Sequence, residues 1–270
     1  MKIKVYYLPF ILVFMLCILV IIMMSNVHPE NVKNTNTIVT ETNSIDWYIP
    51  RTSNNERPSF PAYVQEFIDK YGIYVMGKGE KELYLTFNCG YEYNNYTEEV
   101  LNILKEENIK AVFFITGDYL RSNSEIVKRM IDEGHIVGNH GNTHAFLSEL
   151  SEDEIRKEII DFEKAYEDVT GVKFSKKYFR PASGAFSEQV LVIANDLSYE
   201  TVFWSLAYKD WETDHQPSTE TVYNNIMNGT HDGCILMLHT VSISNKNVLK
   251  EAIRDLKEKS YIFKSIEEFR

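Results

Sequence analysis

What the 270-residue chain lacks narrows its reading first. Lysine and arginine form no cluster, and 28 basic residues against 39 acidic ones leave a formal net charge of −11. Neutralising a phosphate backbone needs concentrated positive charge, so no nucleic acid is expected as a partner. Cysteine is scarce. Of the three, Cys17 lies in an apolar N-terminal run, so Cys89 and Cys234 leave one pair at most and no disulfide framework. Cys234 sits in the apolar stretch "CILML" and reads as a small buried filler. No internal repeat is evident. No clear small-residue cleavage site ends the N-terminal run, and no small residue precedes Cys17 to suggest lipoprotein-type processing.

What is present supports one sizeable core with an appendage, since 44% of the residues are hydrophobic. Met1-Lys-Ile-Lys carries two positive charges, and Val5 to Met24 carries none. That run is long enough to cross the ~30 Å of a bilayer core as a helix. Residues 1–25 are therefore expected to be an N-terminal membrane anchor, single-pass, with the positive flank in the cytoplasm and the domain outside it. The alternative is a cleaved signal, and on either reading the remainder is exported. Residues 26–60 are rich in Asn, Thr, Ser, Glu and Pro and read as a polar linker or surface wrap. Within them "IDWYIPR" stands apart. Its Trp47 and Tyr48 suit either surface packing or a groove wall.

Residues 61–270 have a different rhythm. "ELYLTF", "AVFFIT", "HIVGNH", "YFRP", "ETVFWSL", "CILMLHT" and "YIFKSI" read as strands. Helical patterns fall between them. They include "TEEVLNILKEENI" with Thr97 as N-cap, "SEIVKRMIDEG" ending at Gly134, and "SEDEIRKEIIDFEKAYEDV" with Ser151 and Glu154 placed for a capping box. Apolar strands alternating with helices predict a parallel α/β sheet buried on both faces. Alternation alone leaves an open doubly wound sheet and a closed barrel both standing.

In either architecture ligands gather at the C-terminal ends of the strands. There stand Asn88, Cys89 and Gly90, then Thr116 and Gly117, His140 and His144, Arg180 and Pro181, Asp210 and Trp211, and His239. So many imidazole, guanidinium, carboxylate and indole groups at strand ends are hard to explain as packing. His140 and His144 are four apart, which turns both rings to one side. With a third ligand they suit Zn²⁺ and leave a position for water; otherwise they are two surface histidines. His239 emerges from the buried run Ile235–Leu238 and suits a proton donor, or a core histidine bonded to backbone. Asp210 suits the carboxylate that orients His239, or a surface ion pair. Trp211 suits a wall against a sugar ring, or a core indole. Arg180 has the fork for a buried carboxylate or a substrate acid, or is a surface arginine. His135, His215 and His231 read as structural or exposed, and the acidic run Ser151–Glu158 as a solvated helix face.

The ordered segments "LTFNCGYE", "HGNTH", "FRPASG", "FWSLAYKDW" and "MLHTVS" resemble the polysaccharide deacetylase family, over roughly residues 55–270. "GYE", "FWSLAYKDW" and "LHTVS" are most similar to the branch that removes acetyl from muramic acid and forms δ-lactam in the spore cortex. The resemblance implies a distorted (β/α)7 barrel of parallel strands and metal-dependent hydrolysis of an N-acetyl amide. It implies a peptidoglycan glycan strand as substrate and a divalent metal, zinc first, with manganese or cobalt as alternatives. Carried over residue by residue, His140 and His144 match metal ligands and His239 the general acid. Asp210 matches the residue that tunes that acid, and Arg180 the partner of the base. Trp211, Gly90 and Tyr91 are expected along the substrate.

One motif departs from the family. Its first strand normally ends Thr-Phe-Asp-Asp-Gly, with the first aspartate as base and the second on the metal. Here the pair is Asn88 and Cys89. Cys89 is either a neutral small residue or a thiolate ligand beside two imidazoles. Asn88 has the shape of the carboxylate but cannot accept a proton. It also leaves Arg180 without a charged partner. Three outcomes stay open: a slow deacetylase whose metal alone activates water, a substitute base in Glu92 or Asp118, or a silent relative that binds glycan or a partner enzyme. A scaffold with no glycan site is the remaining class.

Overall fold

The computed structural model describes residues 44–50 and 52–269. The anchor expected over 1–25, the linker up to residue 43 and Cys17 lie outside the described residues. Among the described residues, no helix is long and apolar enough to cross a membrane.

The central strand is β2, Glu82–Cys89, of which every residue after Glu82 is buried. It pairs in parallel with β3, Val112–Ile115, on one side and β8, Cys234–His239, on the other. The sheet continues from β3 through β4 (Ile136–Asn139) and β5 (Tyr178–Phe179) to β7 (Glu200–Thr201), and β9 (Ile262–Phe263) joins the start of β2. Beyond β7 Val202 bridges to Tyr74, the chain bends at Ser205, and Leu206 bridges in parallel to Leu236 of β8. The two ends of the strand order thus approach each other. The result is a curled parallel-strand α/β sheet, of the kind a (β/α)7 barrel requires.

Alternation along β2 sorts its side chains. Leu83, Leu85, Phe87 and Cys89 join the large core cluster shared with the helices. Tyr84 joins Val112, Phe114 and Ile235 in the cluster on the concave face, and Thr86 and Asn88 share that face. The outer layer is held by helices such as α8, Ile243–Glu258, which buries Val248, Leu249, Ala252, Ile253 and Leu256. Each buried aliphatic side chain of this size contributes about 1.5–3 kcal/mol.

Two helix starts show how local chemistry sets element ends. α5, Glu152–Thr170, begins at the Ser151–Glu154 capping box and stops at left-handed Gly171. α2, Tyr96–Glu106, begins two residues earlier than an N-cap at Thr97 would allow, behind left-handed Asn95. The Thr97 amide is satisfied instead by the Glu92 carboxylate at 3.2 Å.

The polar stretch before residue 61 is no free tether where it is described. β1, Ile45–Asp46, pairs antiparallel with β6, Ala185–Phe186. Trp47 stacks on Phe203 with ring centroids 4.4 Å apart, and its indole N–H donates to the Trp204 carbonyl at 3.0 Å. Tyr48 faces outward, 67% exposed. Trp47 is thus the groove wall and Tyr48 is not.

Candidate functional site

The strand ends open into a cavity of about 600 Å³. Asn88, Gly90, His140, His144 and His239 reach it from the ends of β2, β4 and β8, while Trp47, Trp204, Trp211 and Tyr91 form aromatic sides. Thus the structure brings the three strand-end histidines together, with Trp211 46% and Tyr91 52% exposed at the rim. A Cβ on Gly90 would meet only His144, at 3.9 Å, so this backbone presents an open surface to a ligand.

One half of the cavity is a histidine–carboxylate pair. His239 Nδ1–H donates to Asp210 Oδ1 at 2.6 Å, which fixes the tautomer and leaves Nε2 as the free nitrogen. Asp210 is 1% exposed, and its other oxygen accepts from the His239 amide at 2.8 Å and from Asn245 Nδ2 at 2.6 Å. Tyr208 O–H donates to Asn245 Oδ1 at 2.8 Å and so fixes the amide's orientation. The Trp211 ring stands 5.6 Å from the His239 ring.

The second half is the imidazole pair. His140 and His144 lie with ring centroids 5.1 Å apart, nearly perpendicular. Burial pushes the His140 pKa well down, with His144 adding to the effect, and burial likewise lowers that of His144. Both rings are therefore held neutral. His140 Nδ1–H donates to the Arg180 carbonyl at 2.7 Å and directs Nε2 away from it. The loop between the two histidines is pinned from α5: Glu158 accepts from the amides of Asn142 and Thr143 at 2.8 and 2.9 Å and from the Thr143 hydroxyl at 2.8 Å. His144 has φ 64° and Ser183, across the cavity, φ 57°. Non-glycine residues held left-handed cost about 1–3 kcal/mol each and mark sites where the surroundings dictate the geometry.

Beneath both halves lies Arg180, fully buried. Its five N–H groups go to Val202 O, Phe203 O, Thr86 Oγ1 twice, and Asn88 Oδ1 at 2.9 Å. The guanidinium lies 4.0 Å over the Phe114 ring.

Known proteins are similar to this chain in sequence and fold. Residues 76–202 match the family model described as polysaccharide deacetylase. Against the peptidoglycan-N-acetylmuramic acid deacetylase PdaA of Bacillus subtilis (strain 168), 40% of residues are identical over 225 positions, covering 83% of this chain and 85% of that protein. The chain belongs to the polysaccharide deacetylase family. It is by family a deacetylase hydrolase of the family 4 carbohydrate esterase type. The structure of Bacillus subtilis PdaA aligns with TM-score 0.81 and 38% identity, covering 84% of this chain and 97% of that one. A family 4 pseudoenzyme from Bacillus anthracis aligns with TM-score 0.66 and 32% identity, covering 72% and 67%. A mutant of that pseudoenzyme is described as having restored enzymatic activity.

Against the family pattern, three expected roles are corrected by geometry. Cys89 does not join the histidines: it is 0% exposed in the outer core, its thiol accepting from Thr240 Oγ1 at 3.4 Å. The two-residue period of β2 is the reason, since Asn88 faces the cavity and the next side chain must face away. Burial pushes the Cys89 thiol far up, against the thiolate that metal binding needs. Glu92 is no substitute base, because it caps Thr97 and accepts from Tyr119 O–H at 2.8 Å. Nor is Asp118, which is solvent-exposed and paired with Arg121.

A divalent ion fits the donor set in reduced form. Two neutral imidazoles, one oriented by a backbone carbonyl, are the ligating state that such ions select. No third His, Cys, Asp or Glu joins them among the described residues. Zinc-class binding here means two protein ligands with the remaining positions open.

Several residues of the site escaped the sequence reading. Glu158 sits on an acidic helix that reads as a solvated face. Asn245 and Trp204 lie in segments whose patterning signals only packing. His135, His215 and His231 are placed away from the cavity, the first and last buried and His215 exposed.

Proposed function

We propose that this chain acts on peptidoglycan glycan strands as a de-N-acetylase of the muramic acid type. Its proton-donating half is complete, and an amide fills the position where a base is needed. The observation that carries this is the His239–Asp210 pair facing His140 and His144 across one aromatic-walled cavity. A volume of about 600 Å³ is within the range of small-molecule sites and takes a sugar ring. The muramic acid assignment draws on the identity to PdaA. The apolar run Val5–Met24 would hold the domain outside the cell membrane, on the side where the wall lies.

The chain's own residues would divide the work as follows. Trp211 and Tyr91 pack against the ring, and Gly90 lets the acetamide approach the backbone. His140 and His144 are the residues to hold a zinc-class ion, which when bound supplies Lewis-acid polarisation of the acetyl carbonyl. Asp210 holds His239 with its proton on Nδ1, so that Nε2 carries the proton delivered to the departing amine. Asn88 cannot take a proton from the attacking water, because its oxygen is engaged by Arg180 and its nitrogen is a donor. Losing general-base help costs about 10²–10⁴-fold, so the reaction is slow.

A second reading, a catalytically silent glycan binder, is favoured by the same Asn88 and by the likeness to the Bacillus anthracis pseudoenzyme. Acetate release from purified peptidoglycan by the full chain with added Zn²⁺ separates the two. The deacetylase reading expects slow release that His140→Ala and His239→Ala each abolish. Glycan pull-down without release, insensitive to chelator, establishes the binder. Neither release nor pull-down ends both readings.

A further inference from the structure

The floor of the cavity carries a charge that nothing around it balances. Every acceptor that Arg180 reaches is neutral: two carbonyls, a threonine hydroxyl and the Asn88 amide oxygen. Thr86 cannot be an anion in disguise, since its hydroxyl hydrogen is committed to the Leu236 carbonyl at 3.0 Å. Asp210, the nearby buried carboxylate, is saturated by three N–H groups on the far side of His239. A buried guanidinium without a counter-ion is costly, and an arriving anion relieves the cost.

Asn88 turns that charge toward the cavity. A guanidinium only donates, so the atom of Asn88 facing Arg180 must be Oδ1. This removes the usual ambiguity between the amide's two ends and directs Nδ2 away from Arg180. Asn88 is 6% exposed and borders the cavity; its one side-chain hydrogen bond runs through Oδ1, and Nδ2 is not among the enclosed unpaired atoms of the described residues, so it stays accessible. It is an unpaired donor of a nearly buried residue on the cavity wall. Asn88 and His239 are register partners on adjacent strands, so an acceptor at Nδ2 also lies beside His239.

We propose that the cavity floor at Asn88 is a receptor for a carboxylate group. One carboxylate oxygen accepts from Asn88 Nδ2, and the Arg180 guanidinium behind the amide supplies the balancing positive charge. An aspartate at residue 88 would fill the same space with negative charge and repel such a ligand. The amide therefore inverts what the floor selects. This deepens the deacetylase reading by naming the group the site takes, and it rests on that reading only for the ring that bears it. A carboxylate can arrive as free acetate or as a substituent on a sugar ring.

The test uses the full chain, stripped of metal by chelator, and follows binding by calorimetry. The probes are sodium acetate, neutral acetamide of nearly the same shape, and an N-acetylated disaccharide with or without a lactyl carboxylate. Acetate is expected to bind at least about tenfold more tightly than acetamide. Asn88→Asp is expected to remove that preference while melting no lower than wild type. Asn88→Ala, which deletes the donor and keeps the guanidinium, is expected to weaken acetate without reversing the preference. Tighter binding of the lactyl disaccharide identifies the ring substituent as the source, and equal disaccharide affinities identify free acetate. Equal binding of acetate and acetamide, acetate binding that needs added zinc, or no effect of Asn88→Asp each overturns the proposal. Acetate release is assayed separately, so a failed binding test with working hydrolysis rejects the receptor alone, and the reverse pattern rejects the hydrolase alone.

Discussion

His135 immediately precedes β4, the strand that leads to His140, and it makes the fold's acid sensitivity calculable. Its Nδ1 accepts from the Ala111 amide at 3.2 Å, so the proton sits on Nε2, which is buried without a partner. The ring is 6% exposed and packs edge-on to Phe113, with centroids 5.3 Å apart. Burial, helped by Lys110 and Arg129 against the opposing pull of Glu133, lowers its pKa from 6.5 to about 4. The folded value is thus depressed. Between the two values the unfolded chain binds a proton that the folded chain refuses, so stability falls with falling pH. Nothing is lost above about 6.5, loss accumulates down to about 4, and below that the contribution is constant. A gap of this size is worth about 3 kcal/mol at 1.36 kcal/mol per unit. Other buried histidines and paired carboxylates titrate over the same range, so the measurement is a difference. His135→Gln keeps an acceptor for the Ala111 amide and does not titrate. Urea unfolding of both proteins from pH 7.5 to 4 should give curves that diverge by about 3 kcal/mol at the acid end. Parallel curves would refute the reasoning.

Other perturbations have equally definite outcomes. Glu158→Gln loosens the loop that spaces His140 and His144, and zinc affinity by calorimetry should fall about 10–100-fold with little change in melting; unchanged affinity contradicts the pinning role. Asn245→Leu leaves both Asp210 and the Tyr208 hydroxyl short of a buried partner and should cost about 3 kcal/mol in urea unfolding; a loss within the error of that assay removes Asn245 from the support of His239. Cys89→Ala should bind zinc as wild type does, since its thiol faces the outer core; a weakened zinc isotherm would put the thiol back among the ligands.

Much of this architecture was legible because strand and helix periods alternate cleanly, and because polar groups after apolar runs mark strand ends. His140, His144, Arg180, Asp210 and His239 all follow apolar runs in this way, and the structure groups them in and beneath one cavity. The rest was hidden for physical reasons. Cys89 and Asn88 are adjacent letters, but the pleat sends them to opposite faces, and only the face of Asn88 is the site. "ETVFWSL" reads as one strand, yet only Glu200–Thr201 pairs regularly, because the chain bends at Ser205 as it crosses toward β8. Trp47 lies in polar sequence that resembles a tether, and its role depends on β6, far along the chain. Glu158 obeys the helical pattern of an exposed residue, while the amides it accepts from come from a loop no periodicity predicts.

The central claim is that this is a deacetylase site with a two-histidine metal set, held back chiefly by the missing base at Asn88. Its most direct test is acetate release from peptidoglycan by Asn88→Asp, beside wild type, with Zn²⁺ present. The account predicts a gain of about 10²–10⁴-fold that His239→Ala erases in the same background. A correctly folded Asn88→Asp protein that releases no more acetate than wild type would contradict it.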